Sequence, residues 1–264
     1  MPKHPEMRLI LPLLKREIVG RYRGSALGML WSLLTPMFML AVYTLVFGSI
    51  FNSRWNGTGG EAVEGTGAFA IVLFAGLIVF QLFSEVISRA PALVVSNVSY
   101  VKRIVFPLEV LAIVAVGSAL FHAAVSLGVL FGFEIVVMGR IPWTALFVPI
   151  VVLPFIVLVL GLSWFLAAAG VFFRDIGQFL GPTITAVMFL SPIFFPASSL
   201  PNWLHGWHLL NPLTLPVEQF RAVAIFGQTP DWVSLGVYLA VAVAIAWLGH
   251  TFFQRTRRGF ADVL

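Results

Sequence analysis

Cysteine is absent from the 264 residues, so disulfides say nothing about the redox compartment. Charge is scarce. Asp, Glu, Lys and Arg make up 10% of the chain, against about 25% in ordinary soluble domains. Hydrophobic residues make up 59%, and the mean hydropathy is +0.98. A large soluble domain is excluded, and the chain reads as an integral membrane protein. Lysine is nearly missing: Lys3, Lys15 and Lys102 are the only ones, and none follows a glycine. The phosphate-cradling pattern G-x-x-x-x-G-K-[ST] is therefore absent, so the chain is not expected to bind and hydrolyse ATP itself. His4, His122, His205, His208 and His250 make no metal-ligand pattern with carboxylates, and His205 with His208 would form only a weak metal pair. No early small-x-small cleavage site accompanies the first apolar run near Met29, which reads as a retained span and not a signal peptide. The pI of about 10.1 points to basic loops on an anionic leaflet, with no nucleic acid partner.

What is present is a series of uncharged runs near the roughly 20 residues needed to cross a bilayer. Six spans fit: 29–51, 68–88, 108–131, 143–173, 177–195 and 233–253. The fourth is overlong, and a tilt, a break at Pro149 or Pro154, or an interfacial turn would absorb the excess. An even number puts both termini on one side. With the termini inside, the internal segments hold Lys3, Arg8, Lys15, Arg16, Arg21, Arg23, Arg89, Lys102, Arg103, Arg174, Arg255, Arg257 and Arg258. Only Arg54, Arg140 and Arg221 fall outside. The positive-inside rule therefore makes both termini cytoplasmic.

Residues 1–28 precede any span. Leu9, Ile10, Leu13, Leu14, Ile18 and Tyr22 recur at helical spacing among Arg8, Lys15, Arg16 and Arg23, the pattern of an amphipathic interface helix. It either anchors the chain or also meets an anionic lipid-linked substrate. Inside the spans, ionisable groups are few. Glu85 and Arg89 are spaced to pair along one helix face. Glu109 and Glu134 bound the third span within snorkelling reach of the interfaces, and His122 is suited to hydrogen-bonding a neighbouring helix. An ion-driven carrier is not indicated. Gly20, Gly24 and Gly28, and again Gly177 and Gly181, have the G-x-x-x-G spacing of close helix packing.

Two connections are unusual. Between spans two and three, RAPALVVSNVSYVKRIVFP (residues 89–107) brackets a helix-compatible stretch between Pro91 and Pro107. Val94, Val95, Val98 and Val101 are apolar there, followed by Lys102 and Arg103. The stretch is either an interfacial helix on lipid or a plug for a cytoplasmic partner. After span five, SPIFFPASSLPNWLHGWHLLNPLTLP (residues 191–216) is rich in proline and aromatics and has no charge. Irregular backbone is tolerated at membrane depth only where protein or a water-filled cavity covers it.

LLKREIVGRYRGSALGMLWSLLTPMFMLAVYTLVFGSIF, from Leu13 to Phe51, resembles the start of the membrane subunit of type 2 ABC polysaccharide exporters, which carry O-antigen, wall teichoic acid or capsule. SNVSYVKRIVFPLEVLAIV, FFRDIGQFLGP and LSPIFFP followed by LLNPLTLPVEQFRAVAIFG are similar to the same family in the same order, so the resemblance covers essentially the whole chain. Glu17 stands where members often have Asp. The resemblance implies an all-α fold: an interface helix over 1–28, then a six-span domain over 29–264, with a coupling loop over 89–107 and re-entrant gate helices over 192–226. It implies a half-transporter that pairs with a second copy and with two ATPase subunits carrying ATP and Mg²⁺, itself holding no cofactor. ATPase coupling falls to Val94, Val95, Val98, Tyr100, Val101, Lys102 and Arg103. The substrate would be a polyprenyl-linked glycan, exported across the bacterial cytoplasmic membrane.

A moving glycan suits aromatic walls, whose faces meet sugar C–H groups without fixing a register. Trp31, Phe38 and Tyr43 in span one and Phe189, Phe194 and Phe195 in span five are candidates, although a chain with 25 Phe and 8 Trp places aromatics widely. Arg16, Arg21, Arg23 and Arg174 lie at the depth where an anionic headgroup would load. Phe194, Phe195, Trp203 and Trp207 would form an apolar lid over the outer mouth, or else anchor its helices at the interface. From a different class, an ATPase-independent channel or carrier stands as the alternative, and a drug or small lipid as the alternative cargo.

Overall fold

The computed structural model describes residues 5–46, 55–56, 62–63, 66–101, 106–196 and 210–264. Lys102, Arg103, Trp203, Trp207, His205 and His208, singled out above, lie outside these residues. Apart from a two-residue antiparallel pair, Trp55–Asn56 with Ala62–Val63, the regular structure is helical.

Helix α1 (Pro5–Tyr22) is followed by a 3-10 turn (Gly28–Leu30) and α2 (Trp31–Tyr43). The turn between them needs glycine, since Gly24 and Gly28 have φ of +89° and +50°. Both lie outside continuous α-helix, so within this chain the Gly20–Gly28 series forms a corner.

Helix α3 (Thr66–Arg89) has 24 residues, about 36 Å at 1.5 Å per residue, and outspans a hydrocarbon core of about 30 Å. It runs through the middle of the fold: residues 70–73 and 75 are fully buried. Two one-turn helices follow, α4 (Ala92–Val95) and α5 (Val98–Val101), then α6 (Val110–Met138). The overlong fourth segment resolves into a 3-10 turn (Trp143–Phe147) and α7 (Val148–Phe172), with Pro149 in the first turn of α7, where its missing N–H costs nothing. Helix α8 (Ile176–Leu190) has only 15 residues, about 22 Å. After it come α9 (Thr214–Ala224), α10 (Trp232–Thr256) and a terminal turn, α11 (Phe260–Val263).

Among the described residues, five helical segments are long and apolar enough to cross a membrane: 28–46, 67–89, 110–138, 143–172 and 232–259. The expected fifth span is the shorter α8. Helices α7 and α10 meet at backbone contact, because a Cβ on Gly161 would lie 2.5 Å from Ala246 Cα, and one on Gly249 would lie 2.2 Å from the Gly161 carbonyl. A separate core at one end gathers Val94, Leu108, Leu111, Ala168, Phe253 and Phe260. There Arg257 donates to Glu109 at 3.1 Å and to the Phe106 carbonyl at 2.9 Å, tying the C-terminal segment to the start of α6. Glu109 is thus paired within the protein. Glu134, expected to reach an interface, is instead 1% exposed.

Candidate functional site

Helix α1 lies along α6, with Leu14 packed close to Gly117, where a Cβ would stand 3.1 Å from Leu14 Cδ1. This brings the basic face of α1 onto the charged end of α3. Arg21 Nη1 donates to Glu85 Oε1 at 2.5 Å, and Arg89 bridges two carboxylates, bonding Glu17 and standing 3.9 Å from Glu85. His122 on α6 completes the group with its Nδ1 3.1 Å from Glu85 Oε1. The expected Glu85–Arg89 pair is therefore the weakest link in a five-residue cluster drawn from three helices. His122 bonds neighbouring helices, as its lone position in an apolar span indicated. Tyr22 sets its ring edge-to-face on His122 at 6.0 Å. Burial, countered in part by Arg21, pushes the Tyr22 phenol up, so it stays neutral.

The cluster sits at one end of a cavity of about 530 Å³ between α2, α3, α6 and α8. Arg21, Glu85 and His122 line its polar end, while Trp31, Tyr43, Phe74 and Phe80 form apolar walls, interspersed with Ser32, Thr35, Gln81 and Ser126. A cation, a bonded carboxylate and aromatic walls together suit an amphiphile with an anionic head. Residues 8–225 match the ABC-2 type transporter family. The chain belongs to this family. It is similar to the O-antigen export system permease protein RfbA of Myxococcus xanthus, at 27% identity over 96% of this chain and 94% of that protein. A protein of the same name from Klebsiella pneumoniae is 21% identical over 97% and 95%. The polysialic acid transport protein KpsM of Escherichia coli is 26% identical over 93% and 92%.

In the structure of this ABC-2 family chain, the four arginines grouped by depth differ in their surroundings, although Arg16 and Arg21 share a smaller pocket with Glu17 and Arg89. Arg21 lines the cavity. Arg16 instead turns toward α5, donating to the Tyr100 hydroxyl at 2.7 Å with its guanidinium 5.8 Å from that ring. Arg23 and Arg174 are exposed. The aromatics separate as well. Trp31 and Tyr43 face the cavity, whereas Phe38 on α2 and Phe189 on α8 are exposed at 68% and 60%.

In the 89–107 loop, α4 is seated on α7 at Gly170, where a Cβ would stand 2.3 Å from the Pro91 carbonyl. Val94 is fully buried in the chain's own core. That leaves Val95, Val98 and Tyr100 half-buried, with the Tyr100 ring stacked on Phe106 at 4.4 Å. Val101 closes α5.

Beyond α8, Phe194 and Phe195 are half-buried, and Phe194 stacks on Phe189 at 5.7 Å. Arg221, counted from the sequence as an external loop cation, is buried at 3% exposure on α9. Its guanidinium donates to the carbonyls of Val72, Pro192 and Ile193 at 2.8, 2.5 and 2.7 Å. Counting cations by segment cannot detect such burial. The neighbouring Asn211 bonds the Leu190 carbonyl and Ser191 Oγ and accepts from Leu213 N at 2.9 Å. The signal available in the sequence was Asn211 and Arg221 themselves, polar residues in an otherwise apolar region.

Proposed function

We propose that this chain is the permease half-subunit of an ABC transporter that exports a lipid-linked polysaccharide of O-antigen type across the bacterial cytoplasmic membrane. The observation that carries the reading is similarity along nearly the full length of both chains to a permease named for O-antigen export. The aromatic-walled cavity with Arg21 at its polar end supports it. In this reading α8, continued by residues 191–196, is the fifth of six spans, and both termini are cytoplasmic. A second copy completes the pore along the exposed faces of α2 and α8. Two ATPase subunits supply ATP hydrolysis with Mg²⁺ and dock on α4 and α5. The 192–226 region covers the outer mouth.

Deleting the gene in its own organism should trap lipid-linked polymer inside the cell and strip it from the surface. Normal surface glycan in the deletion strain would sink the reading. Capsule export is a second reading, favoured by the 26% identity to the polysialic acid transport protein, close to the value for the O-antigen relative. The trapped polymer distinguishes them. Transport-competent protein isolated without an ATPase would instead favour a channel or carrier.

A further inference from the structure

Arg21 is held at the cavity by partners whose demands conflict. His122 Nδ1 lies 2.9 Å from Arg21 Nη1, and 3.1 and 3.2 Å from the two carboxylate oxygens of Glu85. Arginine only donates and a carboxylate only accepts, whereas a neutral imidazole nitrogen does one or the other. Nδ1 therefore satisfies one neighbour and opposes the other. With the proton on Nδ1, Glu85 is bonded through His122, and the contact from Arg21 to the imidazole is unfavourable. Arg89 adds a further counter-charge at 3.9 Å. Glu85 thus keeps His122 and Arg89 when Arg21 departs, which avoids leaving a buried carboxylate unpaired. Arg21 is also the accessible partner: the Glu85 side chain is 4% exposed and the Arg21 side chain 44%.

We propose that Glu85, partnered by His122 and Arg89, is a holding station from which Arg21 is released to the phosphate of an amphiphile seated in the cavity. The inference rests on the export reading above and gives that site its selectivity. The Glu85 carboxylate stands in for phosphate oxygens as an acceptor for the guanidinium. A bare anion must compete with it on equal terms. A phosphate carrying an apolar chain or sugar rings gains contacts with Trp31, Tyr43, Phe74 and Phe80 as well, and wins. Apparent affinity is then the intrinsic affinity scaled by the fraction of Arg21 that is free.

The test uses the full transporter in lipid nanodiscs and measures binding of a polyprenyl pyrophosphate, with inorganic pyrophosphate and free polyprenol as the contrasting probes. The wild type should bind the lipid pyrophosphate alone. Glu85→Gln should tighten that binding by about tenfold and admit inorganic pyrophosphate, because Arg21 is no longer held by charge. His122→Leu should act in the opposite direction, weakening binding by about threefold or more, since Glu85 then relies more heavily on Arg21. Arg21→Gln should abolish binding in either background. Unchanged or weaker binding by Glu85→Gln, or both variants shifting the same way, would reduce the cluster to a structural tie. If Glu85→Gln fails to fold in a thermal melt, His122→Leu decides alone, and unaltered binding by it overturns the proposal. Wild-type protein that ignores the lipid pyrophosphate also overturns it, whereas the export reading stands or falls on the deletion phenotype.

Discussion

Helices α2 and α3 are similar in composition and opposite in circumstance. Their apolar segments, 28–46 and 67–89, have mean hydropathies of 1.8 and 2.3, yet 6% of the first and 83% of the second is buried within the chain. Hydropathy alone therefore states that a segment can leave water, and not what it will meet. Helix α3 is buried against protein along most of its length and is fixed by polar ties toward both ends: Arg21 and His122 on Glu85, Arg221 on Val72. Helix α2 presents Leu33, Leu34, Met37 and Phe38 outward. In lipid an outward apolar face carries no penalty, so α2 is free to face acyl chains, a second copy or a passing substrate. The cavity lies where the two helices meet, one wall anchored and the other largely unsupported.

The largest effect is expected where α3 is tied to α9. A Cβ at Gly76 would stand 2.4 Å from Arg221 Nη2, so Gly76→Val must displace the guanidinium from three carbonyls. Hydrogen bonds to charged groups contribute about 1.5–3 kcal/mol each, and displacement leaves the acceptors unpaired. Gly76→Val and Arg221→Met should each lower stability by about 3 kcal/mol or more, read as a fall in the melting temperature of the detergent-solubilised protein. The two changes share one interaction, so the double variant should be little worse than either single one. Full additivity would break the idea that Gly76 is small for the sake of Arg221.

The contrast itself is tested by making one substitution twice. Leu73 on α3 is fully buried, and Leu34 on α2 is 39% exposed. Leu73→Ala should cost about 2 kcal/mol, chiefly through the cavity and lost packing, since lipid solvates leucine as well as a protein core does. Leu34→Ala should stay within about 0.5 kcal/mol in the isolated chain. An equal cost for both in the assembled transporter, but not in a dissociated one, would show that a second copy buries α2.

The apolar spans were legible because crossing a bilayer is a local demand on composition: the expected 68–88 and 233–253 became Thr66–Arg89 and Trp232–Thr256. The charged cluster was legible only as the i,i+4 pair Glu85–Arg89. Its stronger links join residues 37, 64 and 72 positions apart, and no periodicity reports a partner at those distances. Depth, which depends on position along the chain, singles out Arg21. Arg16 shares a smaller pocket with Arg21 and Arg89 but bonds Tyr100 and does not line the aromatic-walled cavity, because rotation about a helix axis divides neighbours that depth groups together. Gly24 and Gly28 show a related limit: spacing alone does not distinguish a corner at positive φ from one face of a helix.

The smallest effect belongs to α10, whose best apolar window is 17% buried and so lies nearer to α2 than to α3. What fixes its start is a cap. Asp231 accepts from Val233 N and Ser234 N at 3.1 and 3.2 Å and from Ser234 Oγ at 2.6 Å. These bonds, above all those from Ser234, hold its carboxyl below the ordinary aspartate range. A carboxyl whose folded pKa is lowered contributes above its unfolded pKa, and the contribution disappears as pH falls through the folded value. Asp231→Ala should therefore lower the melting temperature slightly at neutral pH and not at all in strong acid, where the wild-type cap is itself protonated. Because α10 is held mainly by its backbone contact with α7 at Gly161 and Gly249, fraying should stop within the first turn. Amide exchange confined to residues 232–235 would agree with that, whereas exchange spreading toward Ala242 would mean that the cap, and not the glycine contact, governs where this helix begins.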